Sequence, residues 1–116
     1  MKSIILAAAV FLVCAGSTLG MDLHGTLLDK ACSLKAAKEG QKFAEAHDTK
    51  CALSAESQKS GYGVFTASGA FFAFDEGGNA KALVVLKATK KTDNLQVTVM
   101  GDIAGNTVKV AHIALD

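Results

Sequence analysis

The 116-residue chain is expected to fold as an α+β domain of five strands with helices inserted between them. Three features predict it. Apolar residues alternate with period two in several short runs, an Ala/Lys/Glu/Gln-rich stretch separates the first run from the others, and Gly-containing turns divide the remainder.

Ahead of that domain, residues 1–20 read as an export signal. Lys2 supplies a positive n-region, residues 4–13 are apolar without a break, and residues 15–20 are mostly small, with the best cleavage point after Gly20. The apolar run falls short of the ~20 residues that span a bilayer, so no stable membrane anchor is expected after cleavage. Cys14 follows Val13, where a lipoprotein signal carries a small residue, which argues against lipid attachment. The expected product is one domain, residues 21–116, exported to the periplasm or the outside.

The first strand covers residues 22–29, with Leu23, Gly25 and Leu27 on one face and His24, Thr26 and Leu28 on the other. Gly25 inside it suggests a bend or bulge. Residues 31–57 favour helix, which Gly40 splits into helices near 33–39 and 42–57, with Asp48 as a cap near a kink. Residues 62–66 and 70–74 flank a Ser68-Gly69 turn, the mark of a hairpin. Gly77-Gly78 is expected to break the strand and Asn79 to cap a helix over 80–87, with Ala80, Leu83, Val84 and Lys87 along its stripe and Leu86 widening it. Leu95, Val97 and Val99 begin a fourth strand, residues 101–106 are expected to turn the chain, and Val108, Val110, Ile113 and Leu115 form a fifth. The change of parity between Val110 and Ile113 predicts a bulge near Ala111-His112.

Strand, helical insertion, strand, strand, helix, strand, strand is, without the insertion, the order of an OB-fold, a five-stranded Greek-key barrel. A different α+β sheet packed on two helices is the alternative. Gly25-Thr26-Leu27-Leu28-Asp29-Lys30-Ala31-Cys32, His47-Asp48-Thr49-Lys50-Cys51-Ala52-Leu53, Gly61-Tyr62-Gly63-Val64, Val97-Thr98-Val99-Met100-Gly101 and Asn106-Thr107-Val108-Lys109-Val110 together resemble small exported bacterial proteins of uncharacterised function, with an OB-like barrel and a Cys/His-containing helical insertion. Members of that group often carry a further cysteine where this chain has Ala55, and a histidine soon after the first cysteine, which residues 33–38 lack. The resemblance therefore implies the barrel more strongly than a metal or redox role.

Beyond the signal, Cys32 and Cys51 are the only cysteines, and in an exported domain they are expected to form a disulfide. The competing use is metal binding by Cys32, His47 and Cys51, with His47 and Cys51 four apart on one helix face. Thiol-redox catalysis is a weaker reading without a C-x-x-C pair. Tyr62, Phe65, Phe71 and Phe72 lie on the strands that OB-folds use for stacking and are the candidate ligand face. His24 and His112 lie on the first and last strands, which are expected to be neighbours in this barrel order, and are better read as surface residues than as a metal pair. The acidic run at 75–79 reads as a hairpin exit and helix cap rather than a calcium loop.

No catalytic constellation is present, so an enzyme is not expected, and neither is a cofactor. Twelve basic and eleven acidic residues, with every basic residue a Lys, leave no excess charge for a phosphate backbone. The expectation is a non-enzymatic, OB-like binding or accessory module for a protein, a glycan or a small molecule, not for nucleic acid. The alternative is a periplasmic metal-binding or thiol protein built on the Cys/His cluster.

Overall fold

The computed structural model describes residues 21–116; the expected signal, with Cys14, lies outside the described residues. Five strands, β1 (Met21–Asp29), β2 (Tyr62–Thr66), β3 (Phe71–Phe74), β4 (Gln96–Ala104) and β5 (Thr107–Leu115), form one sheet that closes on itself in the order β1-β2-β3-β5-β4. Neighbours pair antiparallel except β3 and β5, which run parallel. Helices α1 (Lys30–Glu39), α2 (Gln41–Ala46), α3 (Thr49–Ala52) and α4 (Ala55–Ser60) fill the segment between β1 and β2, and α5 (Glu76–Ala88) joins β3 to β4. The α+β class and the order of strands and helices along the chain are as expected, but the first and last strands are not neighbours, because β4 lies between them. Among the described residues, no helix is long and apolar enough to cross a membrane.

The alternation read from the sequence assigns the two faces of the ring. Leu27, Val64, Phe74, Val97, Val99, Val108, Val110 and Ile113 point inward to the main core, which Ala82 and Leu86 of α5 join. Leu28 and Phe65 point outward and are buried beneath Ala36 of α1 and Ala44 of α2. Residues of α1 and α2 thus form a second layer over the outside of β1 and β2, while Ala52 at the end of α3 joins the main core.

Gly25 carries no register shift. It lies where β1 passes from β4 to β2, pairing with both Val97 and Thr66, and a Cβ there would collide with the Phe65 carbonyl. The bulge expected in β5 is present: Met100 faces His112 and Gly101 faces Val110, which leaves Ala111 extra. The turn between β4 and β5 is shorter than expected. Residues 101–104 stay in the strand, and the chain reverses at Gly105, whose φ is +62°.

The helical segments differ most from expectation. Gly40, at φ +92°, does separate α1 from α2, but residues 42–57 form three short helices instead of one. Asp48 and Ser54 each turn a side-chain oxygen onto a backbone N–H, of Lys50 and Ser57, and start new helices there. Side chains of this kind compete with the i to i−4 ladder. In α5 the cap is Asp75, which accepts from the N–H groups of Gly78 and Val110, so Gly77 and Gly78 lie in the first turn instead of ending the strand. Asn79 accepts from the Tyr62 N–H and ties α5 to β2. The buried stripe is Gly78, Ala82 and Leu86, while Ala80 and Val84 are not part of it, Val84 being exposed.

Candidate functional site

Asp29 ends β1 and starts α1, and that double position builds the site. As the N-cap, it accepts the Cys32 N–H through Oδ2 at 3.0 Å. Cys32 is then the third residue of the helix, and side chains at that position lean back toward the cap, as in a capping box. The thiol consequently comes within 4.8 Å of the same carboxylate.

His47 arrives from 18 residues away, with Nε2 2.8 Å from Asp29 Oδ1. It caps the C-terminus of α2 in an extended conformation, and its ring lies 6.3 Å from that of Phe43. The surrounding chain is anchored by three contacts: Asn94 N–H to the Glu45 carbonyl, Thr49 N–H to the Thr92 carbonyl, and the Thr49 hydroxyl to the Lys91 carbonyl. One donor atom from each of Asp29, Cys32 and His47 lies within 4.8 Å of the others.

The cluster is largely buried and its charges are interdependent. Asp29 is wholly buried, and the His47 side chain is 9% exposed. Burial alone would raise the Asp29 pKa, but the bonds from His47 and from the Cys32 N–H and thiol, with the His47 charge, outweigh it and hold the carboxyl below the ordinary aspartate range. The Cys32 thiol moves the other way, pushed up to about 11 by burial first and then by the charge and hydrogen bond of Asp29. Without a metal cation beside it, Cys32 is therefore a protonated donor and a poor nucleophile.

Cys51 is not among these donors, although it lies near enough for its charge to add to the upward push on the Cys32 thiol. Both cysteines are free thiols, Cys32 partly buried and Cys51 exposed, so the expected disulfide is not formed. The physical reason is the helix cap, which aims the Cys32 thiol at Asp29. Nor do His47 and Cys51 share a helix face, because the chain is extended at His47 and Asp48 before α3 begins. The sequence-predicted trio of Cys32, His47 and Cys51 becomes Asp29, Cys32 and His47. Sequence reasoning missed Asp29, although an Asp three residues before Cys32 at a strand-to-helix junction is itself the signal of a cap bringing two side chains together.

The candidate ligand face divides. Tyr62 is buried in the main core, its hydroxyl donating to the Ala52 carbonyl at 2.6 Å, and Phe65 is buried under α1 and α2. Phe72 packs partly against the main core. Phe71 lines an open cavity of about 370 Å³ between α1 and the outside of β3, with Lys30, Ser33, Leu34, Ala73 and Thr107 around it. Leu34 is 72% exposed at its edge. A Cβ at Gly63 would collide with the Phe71 ring, so this glycine makes room for the ring to lie across β2.

His24 and His112 do not adjoin, because β4 lies between their strands. His24 bonds the Thr98 hydroxyl, and His112 stands opposite Met100. No family model matches the chain, and no curated protein or solved structure gives a match.

Proposed function

We propose that the chain is an exported, non-catalytic, OB-like binding module that holds a small, largely uncharged amphipathic ligand, such as a glycan unit, in the cavity between α1 and β3. The observation that carries this reading is how the insertion covers the ring. Leu28 and Phe65 on the outside of β1 and β2 are sealed by Ala36 and Ala44, which removes the broad stacking surface an OB-like sheet would present. The uncovered part lies over β3, where the Phe71 ring and exposed Leu34 meet the polar ends of Lys30, Ser33 and Thr107. An aromatic face rimmed by hydrogen-bonding groups suits a ligand with apolar and hydroxylated surfaces.

Export is supported by the n-region, apolar core and small residues of positions 1–20. A non-catalytic role is supported by the Cys32 thiol, held protonated by a pKa of about 11. The balance of Lys against Asp and Glu supports a partner other than nucleic acid.

Chemical-shift mapping of the isotope-labelled protein against short neutral glycans and small amphipathic molecules tests the proposal. Expected are perturbations confined to residues 30–37, 69–73 and 106–107, lost in Phe71→Ala. Saturable binding that maps elsewhere, or binding to a single-stranded oligonucleotide that weakens steeply with salt, would overturn it.

A further inference from the structure

We infer that Asp29, Cys32 and His47 form a binding site for one divalent transition-metal ion, with zinc the ion its chemistry fits best. The three donors lie within 4.8 Å of one another, and each comes from a different structural position: the end of a strand, the first turn of α1 and the C-terminus of α2. A helix cap explains why Asp29 meets the Cys32 N–H. It does not explain why an imidazole from 18 residues away is brought to the same carboxylate and shielded from water there.

The donor set selects the ion. Carboxylate oxygen, imidazole nitrogen and thiolate sulfur together exclude hard cations such as calcium and magnesium, which take oxygen alone. Zinc accepts all three donor types and has no electronic preference for a geometry. Charge points the same way: a carboxylate and a thiolate neutralise a divalent ion, so the loaded cluster carries no net charge in a buried place. Three protein donors leave a fourth position for water, the arrangement of an open zinc site.

Loading is a ligand exchange without redox change. The Cys32 thiol proton leaves to solvent, and the proton between His47 and Asp29 either leaves or moves to Nδ1 as Nε2 turns its lone pair to the metal. The Asp29 Oδ1 to His47 Nε2 distance, 2.8 Å in this structure, must widen by roughly 0.5 Å to span the edge of a tetrahedron with ~2.0 Å bonds. That adjustment is within the reach of two side chains.

The test uses the reduced, chelator-stripped protein, titrated with Co²⁺ and then Zn²⁺. Expected is one Co²⁺ per chain, a sulfur-to-cobalt charge-transfer band, and its bleaching by one equivalent of Zn²⁺. Cys32→Ser should abolish the band. His47→Gln, which can still donate to Asp29 and so keep the fold, should weaken Zn²⁺ binding by more than about 100-fold, beyond what loss of an outer-shell partner costs. Cys51→Ser should change neither property, and Phe71→Ala should also leave both intact, separating this site from the cavity over β3. Absence of saturable binding, binding undiminished in Cys32→Ser and His47→Gln, or a band lost in Cys51→Ser and kept in Cys32→Ser would each overturn the assignment.

Discussion

The inside of the ring and the helical layer outside it are held together by different means. Inside, thirteen buried residues form one continuous cluster to which every strand contributes. Outside, the layer rests on four, Leu28, Ala36, Ala44 and Phe65, two of them alanines. What the outer layer lacks in apolar contact it replaces with directed bonds: Asp29 to Cys32 and His47, Gln41 Nε2 to the Thr66 carbonyl, and Thr49 to Lys91 and Thr92. Non-directional burial fixes a fold without demanding particular polar groups, whereas directed bonds place particular groups at particular points. The chemistry-bearing residues accordingly sit in the layer with the thinner core.

Leu27 and Leu28, adjacent on β1 and facing opposite ways, separate the two regions most directly. Leu27→Ala opens a cavity inside the ring and is expected to cost about 4 kcal/mol, lowering the thermal midpoint of the whole domain. Leu28→Ala is expected to cost about 2 kcal/mol, because short helices can settle into the space. Hydrogen exchange should show faster opening in residues 30–46 for Leu28→Ala and in all strands for Leu27→Ala. Equal, global loss of protection in both variants would show that ring and layer open as one unit.

The same contrast explains what is legible in the sequence. The strands are, because alternation has a fixed period and each inward residue is apolar; even the parity change at Ala111 appears as the observed bulge. The insertion is legible as helical, and so are its breaks at Gly40 and Asp48; the further break at Ser54 is not, because serine is compatible with both a helix interior and a cap. In α5, composition suggests Asn79 as the cap, but Asp75 also receives the Val110 N–H from β5 and wins that position. For the site, Cys32 and His47 stand out by residue type, whereas Asp29 reads only as the last residue of a strand. Its role depends on the burial created when α2 folds over it.

Asp29→Asn tests how far the outer layer depends on charge. The amide can still cap α1, so the expected cost at neutral pH is about 1 to 2 kcal/mol, from weaker bonding to His47. Because the folded carboxyl lies below its ordinary value near 4, Asp29 contributes stability that is fully present above that pH and is lost as pH falls through the lower folded value. Denaturant melts of the metal-free proteins from pH 7 to pH 2 should therefore show parent and variant converging in acid. A gap that stays constant over that range would mean that the Asp29 charge is not what holds His47.

The smallest perturbation changes no residue and compares the two thiols. Cys51 is exposed on α3, while Cys32 is partly buried with its pKa pushed up to about 11. At pH 8 only about one Cys32 in a thousand carries the reactive thiolate. Iodoacetamide should modify Cys51 well before Cys32 in the folded, reduced, metal-free protein, with peptide mass mapping giving the order. The Cys32 rate should then climb about tenfold per pH unit until near its pKa, provided the fold survives, which circular dichroism at each pH would check. If Leu28→Ala loosens α1, it should also speed Cys32 labelling at pH 8 and leave Cys51 unchanged. Cys32 labelled as fast as Cys51 in the parent would mean that the Asp29 cap does not hold the thiol, and with it the rigid part of the outer layer would be lost.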